Sequence, residues 1–140
     1  MPPSLWDESL EIGYALIDAQ HRELFRRVDA LLEAIRSGRS AGELGQLLAF
    51  LGDYVVTHFR TEEALMEERD YPGRATHLAQ HADFIRDLAL LREEYAREGG
   101  TALLVVRVNA RVTRWLFEHI ARTDRKLGTF LRTSGADPAA

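Results

Sequence analysis

The chain contains four long stretches in which apolar residues recur every three or four positions, the spacing of one face of an α-helix. The first apolar stripe begins at Leu24 and the last ends at Leu127. The period-two alternation typical of a half-buried strand is absent from the sequence. We therefore predict an all-α protein with helices over about residues 19–37, 41–69, 75–97 and 102–131.

Short breakers separate the stretches, at Gly38, at Tyr71-Pro72-Gly73 and at Gly99-Gly100. Because short loops force neighbouring helices to run in opposite directions, we predict an antiparallel up-down-up-down four-helix bundle. Ser40 and Glu43 should form a capping box at the start of the second helix. We expect an apolar-dotted N-terminal arm over residues 1–17 and a frayed tail over 133–140, within one domain spanning 1–140.

Composition narrows the function classes. A chain of 140 residues is the usual size of one domain, and its net charge of -4 gives no electrostatic reason to bind nucleic acid. The absence of cysteine excludes disulfides and iron–sulfur clusters. Its first residues show no positively charged segment before an apolar run, and its apolar stretches are shorter than the roughly 20 residues of a membrane span, so we expect neither a signal peptide nor a membrane helix. We expect a cytoplasmic protein without a nucleic-acid or membrane partner, and, since no exposed apolar stripe is obvious, a monomer.

All five histidines lie in phase with an apolar stripe: His21, His58, His77, His81 and His119. Burying five imidazoles without partners would cost on the order of several kcal/mol, comparable to the stability of a whole domain. The histidines must therefore satisfy one another or bind something.

The spacing of these histidines and two carboxylates indicates a metal centre. The pairs His58 with Glu62 and His77 with His81 are each four residues apart. That spacing places two side chains about 40° apart on one helix face. Asp124 follows His119 by five residues, about 140° around an ideal helix. Either the helix loosens there into a π-type bulge, or the aspartate reaches across.

The number of ligands favours two ions over one. Five nitrogens and two carboxylates exceed the four ligands of a structural zinc ion. If both carboxylates and one solvent oxygen bridge two six-coordinate ions, the five histidines divide three and two. One ion is then saturated and the other keeps an open position for a small ligand. Imidazole with carboxylate suits iron among the redox metals.

The same residues bear on three other functions. The ferritin-like di-iron enzymes need Glu-x-x-His pairs from two helices, and no histidine here has a glutamate three residues before it. A haem bundle would need two axial histidines and leave three unexplained. Sensing of O2 or redox state, or reduction of peroxide or nitric oxide, stays open because such a centre would use the same ligands.

The sequence resembles the hemerythrins, and the bacterial single-domain hemerythrins most closely. The matching segments are IDAQH at 17–21, HFRTE at 58–62, HLAQH at 77–81 and HIARTD at 119–124, with Trp6, YVVTHF at 54–59 and WLFEHI at 115–120 beside them. The resemblance implies two iron ions joined by an oxo or hydroxo bridge, and reversible O2 binding without enzymatic turnover.

The resemblance also implies a role for each ligand. His77, His81 and His119 would hold the saturated iron, and His21 and His58 the open one. Glu62 and Asp124 would bridge the two.

Reversible binding needs a dry pocket beside the open iron. From helical phase around the ligands of that iron, the residues expected to line it are Leu24, Phe59, Trp115, Leu116 and Ile120. Glu63 points about 100° away from Glu62 on an ideal helix, so we expect it on a solvated face.

Overall fold

The computed structural model describes residues 6–133, so residues 1–5 of the predicted arm and residues 134–140 of the predicted tail lie outside the described part. The elements are a 3₁₀ turn Glu8–Leu10, α1 Ala15–Arg36, α2 Ser40–Glu68, α3 Arg74–Glu98, α4 Ala102–Glu118, a π-helix His119–Asp124 and α5 Arg125–Thr133. Helix α4, the π-helix and α5 follow one another without a break and form the fourth rod of the bundle. The predicted all-α, antiparallel four-helix bundle is confirmed.

The predicted apolar stripes meet in the interior of the bundle. Phe25, Leu51 and Val108, from three different helices, belong to one buried core. A smaller buried cluster joins Ile12 of the arm to Leu127 of α5. Each fully buried side chain of this size contributes roughly 1.5–3 kcal/mol. Between residues 6 and 133, no helix is both long and apolar enough to cross a membrane.

The turn between α1 and α2 differs from the predicted capping box. Gly38 adopts φ +72°, and the N–H of Arg39 donates to the carbonyl of Ala34 at 2.8 Å, so a left-handed glycine closes α1. Helix α2 then begins at Ser40 itself, and no side chain caps it. The predicted capping box is wrong because Arg39, and not Ser40, occupies the N-cap position, and Ser40 is already the first helical residue.

The arm is shorter than predicted, because α1 begins at Ala15 and not near residue 19. Asp18, in the first turn of α1, accepts hydrogen bonds from the backbone N–H groups of Ile12 and Gly13 at 2.8 and 3.1 Å. These bonds fix the chain just before the helix, so that Tyr14 occupies the N-cap position of α1. Residues 15–17, assigned to the arm from the sequence, therefore belong to α1.

The outer face of α4 presents apolar side chains whose exposure the periodicity of the sequence does not reveal. Leu103 is 66% exposed, Val106 63% and Phe117 43%. The expectation of a monomer rested on the absence of such a stripe, and it loses that support.

Candidate metal centre

The seven side chains singled out from the sequence come together inside the bundle. Helix α1 supplies His21, α2 supplies His58 and Glu62, α3 supplies His77 and His81, and the π-helix supplies His119 and Asp124. None of the seven is more than 4% exposed. Histidines that are in phase with an apolar stripe are carried inward with it, which is why helical phase was sufficient to find them.

Glu62 turns its two oxygens toward different histidines. Oε1 lies 3.0 Å from Nε2 of both His77 and His81. Oε2 lies 3.0 Å from Nε2 of His58 and 3.5 Å from Nε2 of His21. One carboxylate thus faces two groups of imidazoles at once.

Asp124 divides its oxygens in the same way. Oδ1 lies 3.0 Å from Nε2 of His77 and 3.1 Å from Nε2 of His119. Oδ2 lies 3.0 Å from Nε2 of His21. The two carboxylates therefore stand between a three-histidine group and a two-histidine group.

Two sets of atoms in this arrangement are compact enough to hold an ion each. The ligand atoms of Glu62, His77, His81, His119 and Asp124 lie within 4.8 Å of one another, and so do those of His21, His58, Glu62 and Asp124. Both carboxylates belong to both sets. This is the three-and-two division expected from counting ligands.

The polar atoms of the centre fit cations better than they fit one another. His21 Nε2, Glu62 Oε2 and both oxygens of Asp124 are buried without a hydrogen bond. Nε2 of His81 and Nε2 of His119 face each other at 3.2 Å, two ring nitrogens of the same kind. Unpaired buried groups are costly, and lone pairs that converge from nitrogen and carboxylate oxygen are what a transition metal binds.

The π-helix explains how Asp124 joins its own helix's histidine. Residues His119–Asp124 form six consecutive π-helical positions, and both ends return to ordinary helical backbone. The wider turn brings a side chain five positions on nearly back above the first. Of the two possibilities left open by the spacing, the structure has the loosened helix.

Comparison with known proteins identifies the family. The model of the hemerythrin HHE cation binding domain matches residues 12–131. The chain belongs to the hemerythrin family. It is 34% identical over 121 residues to the bacteriohemerythrin of Stenotrophomonas maltophilia, covering 86% of this chain and 76% of that protein. It is 31% identical over 131 residues to myohemerythrin-1 of Phascolopsis gouldii, covering 89% and 91%.

A solved structure agrees with this assignment. The crystal structure of a wild-type hemerythrin superposes with a TM-score of 0.77 at 28% identity, covering 91% of this chain and 97% of that one. Hemerythrins bind O2 with non-haem iron, and this member has a histidine and carboxylate cluster able to hold a metal.

Hydrogen bonds from two glutamines orient two of the five imidazoles of this hemerythrin. Nδ1 of His58 donates to Gln20 at 2.7 Å, and Nδ1 of His119 donates to Gln80 at 2.8 Å. Donation from Nδ1 leaves the Nε2 lone pair free toward the centre. Each glutamine serves a histidine on a neighbouring helix, so sequence reasoning missed both; their positions directly before His21 and His81 were the available signal.

Glu63 corrects an expectation. It was assigned to a solvated face, yet its Oε2 lies 2.9 Å from Nδ1 of His81, and its side chain is only 34% exposed. The 100° step from Glu62 turns it toward α3 rather than toward water. A helix in a bundle packs against two neighbouring helices. The phase of its apolar stripe does not show which side chains at the edges of the stripe contact them.

Buried charges shift the pKa values of the centre. Burial by itself lowers the pKa of His21 and of His77, but the close contacts of both rings with the carboxylates of Asp124 and Glu62 outweigh it and raise both pKa values to about 9. Burial raises the pKa of Glu62, but the surrounding imidazoles hold it well below its usual value. Burial and repulsion from Glu62 raise the pKa of Asp124, but the surrounding imidazoles, His119 first among them, outweigh both and lower it.

Two of the predicted pocket residues lie beside the three-histidine group. Phe59 stacks on His81 with ring centres 3.7 Å apart, and Trp115 stacks on His119 at 4.3 Å. From the sequence, both residues were expected around the ligands of the open iron. The ring centre of Phe59 does lie 5.9 Å from that of His58. Leu24, Leu116 and Ile120 are almost completely buried. Their contact with O2 stays a prediction.

Proposed function

We propose that this hemerythrin binds O2 reversibly at a centre of two iron ions joined by an oxo or hydroxo bridge. The observation that carries the proposal is the division of the carboxylates. Glu62 and Asp124 each turn one oxygen toward the three-histidine group and the other toward the two-histidine group. A carboxylate divided in this way suits a bridge between two ions.

The proposal gives each ligand a role. His77, His81 and His119 would complete the coordination of one iron, while His21 and His58 would leave a position free on the other. When bound, the iron pair supplies that free position and the electrons that O2 shares. The protein supplies orientation, through Gln20 and Gln80, and a site closed to bulk water, since each ligand side chain is at most 4% exposed.

Exclusion of water is the chain's contribution to reversibility. Leu24 is 0% exposed and Leu116 and Ile120 are 1% exposed. We assign these three to the apolar lining beside the two-histidine iron. Such a lining gives bound O2 no proton donor from solvent and no competing ligand.

Reduction of peroxide or nitric oxide, or signalling of O2 to a partner, could use the same centre. The discriminating experiment measures iron and O2 together. The reduced protein should hold two irons per chain and take up one O2 per pair, with no further consumption when a mild reductant is present. Sustained consumption of added peroxide or nitric oxide with the same reductant would favour the reductase, and iron far from two per chain would sink the di-iron proposal.

A matched pair of variants tests the bridging role. Glu62→Ala removes a ligand shared by both ions, so both irons should be lost. Glu67→Ala removes a carboxylate from the same helix whose side chain is 74% exposed, and it should keep both. Loss of a single iron from Glu62→Ala would contradict the bridge.

A further inference from the structure

The carboxylate of Glu63 is placed against one metal-binding histidine and no other charged partner. Its Oε2 lies 2.9 Å from Nδ1 of His81, a ring that is 1% exposed. Among the ion pairs within residues 6–133, none joins Glu63 to a lysine or arginine. The contact is therefore not a by-product of a surface salt bridge.

The other imidazoles have weaker outer partners or none in the described part of the chain. His58 and His119 donate to neutral amide oxygens, those of Gln20 and Gln80. Nδ1 of His77 and Nδ1 of His21 are buried without a hydrogen bond. Among the five imidazoles in residues 6–133, His81 is the one whose Nδ1 faces a carboxylate.

The ring of His81 is also fixed in orientation. Phe59 lies parallel to it, with the ring planes 1° apart, and Nε2 points at Oε1 of Glu62 at 3.0 Å. Phe59, Glu62 and Glu63 all come from α2, so one helix holds the face and both nitrogens of this imidazole. With an ion between Nε2 and Oε1, the Glu63 hydrogen bond would keep the proton on Nδ1 and leave the Nε2 lone pair to the ion.

We propose that Glu63 is a positioning residue that makes His81 the strongest donor among the five histidines. A hydrogen bond to a charged acceptor is stronger than one to a neutral amide, and it shifts electron density toward Nε2. A stronger donor stabilises the higher oxidation state of the ion it binds. Glu63 thereby lowers the reduction potential of the three-histidine iron. This inference rests on the proposed di-iron function.

The test compares three variants of the iron-loaded protein. Glu63→Gln keeps the size and a neutral acceptor, Glu63→Ala removes the acceptor, and Glu67→Gln removes the same charge one turn along α2. The reduction potential, measured by spectroelectrochemical titration, should rise in both Glu63 variants and stay at the wild-type value in Glu67→Gln. In Glu63→Ala, the affinity of the protein for iron, measured by competition with a chelator, should also be about 10- to 100-fold weaker than in the wild type.

Two outcomes would overturn the inference. One is a wild-type potential in Glu63→Gln, and the other is an equal shift in Glu63→Gln and Glu67→Gln, which would reflect net charge alone. Circular dichroism verifies that each variant is folded.

A measurement without iron separates this inference from the proposed function. In the Zn²⁺-loaded protein, the Nδ1 proton of His81 should give a far-downfield, slowly exchanging NMR signal. The signal should persist in Glu63→Gln and disappear in Glu63→Ala. Its absence from the wild type would refute the role of Glu63 even if two irons bind. Its presence in a chain that fails to bind two irons would refute the di-iron function and leave the hydrogen bond standing.

Discussion

Two buried carboxylates favour protons on the neighbouring imidazoles of His21 and His77. The pKa values of His21 and His77 rise to about 9, well above the ordinary histidine value of 6.5. A raised pKa stabilises the folded state below the unfolded value, and this contribution is lost as the pH rises through the folded value. The pKa values of the two carboxylates are lowered, so these groups stabilise the folded state at a pH above their ordinary pKa values. That stabilisation is lost only in acid.

A pH series on the iron-free protein tests this electrostatic account. Its melting temperature should fall as the pH rises from 6.5 to about 9, since the stabilising histidine protons are lost over that interval. The iron-loaded protein should not show this fall, because iron has replaced the protons. Thermal unfolding followed by circular dichroism measures both. An iron-free melting temperature that rises over the same interval would contradict the account.

Leu116 provides a second test at a single position. A smaller or polar residue there should admit water beside the two-histidine iron, so Leu116→Ala and Leu116→Asn should autoxidise several-fold faster than the wild type. Leu104→Ala makes the same kind of cavity elsewhere on α4, where Leu104 is 0% exposed, and it should not. The decay of the oxygenated spectrum gives the rate. An oxygenated form of both Leu116 variants as long-lived as the wild type would refute the dry pocket.

At the scale of residues, the sequence predicted the side chains that lie in phase with an apolar stripe. It did not predict the hydrogen bonds between side chains on different helices. His58, Glu62 and His81 could be placed because burial and helical phase are both visible in one dimension. The partners Gln20 and Glu63 could not, because each contacts a histidine on another helix. Lateral contacts depend on the rotation of each helix in the bundle, which the spacing of one stripe fixes only approximately.

At the scale of elements, the π-helix positions Asp124 beside His119, and the arm packs against α5. The five-residue spacing between His119 and Asp124 left two explanations, and the backbone has the π-helical one. The arm packs where α5 leaves room, because a Cβ on Gly128 would stand 2.3 Å from the carbonyl oxygen of Ile12. Start and end positions were predicted less well than the helices, since caps depend on single hydrogen bonds such as those of Asp18.

The Asp18 contacts can be tested directly. Asp18→Ala would leave the N–H groups of Ile12 and Gly13 without their acceptor, at a cost of about 1–3 kcal/mol for each group that stays buried. Because Ile12 is buried and Gly13 is exposed, the N–H of Ile12 dominates, and we expect a fall of about 1–3 kcal/mol in the free energy of unfolding. Asp53→Ala, at an exposed position of α2, should change it little. Urea denaturation measures both, and equal stabilities of the two variants would show that the arm is held by packing alone.

At the scale of the whole molecule, the centre couples metal binding to the stability of the bundle. Seven buried polar side chains from four rods converge on one place, and several of their atoms have no hydrogen bond within the protein. Such groups oppose folding unless ions satisfy them. The fold could be predicted from periodicity because the apolar stripes, and not the centre, specify the bundle.

Removal of iron should therefore lower the melting temperature markedly at neutral pH. Metal binding to the folded state alone stabilises it by mass action, and chelation reverses this. Differential scanning calorimetry of the iron-loaded, iron-free and reloaded protein makes the comparison, with reloading as the control for damage. Coincident melting of the loaded and iron-free forms would show that the iron is not bound by the buried set.

Reversible binding of O2 by this protein can be tested by one optical measurement. The protein is loaded with iron, reduced without air, exposed to O2 and then degassed, while its visible spectrum is recorded through several cycles. The account predicts an absorption band that appears with O2, disappears under vacuum and returns at nearly full intensity, at two irons per chain. A band that never forms, or a centre that stays oxidised after the first exposure, would contradict it.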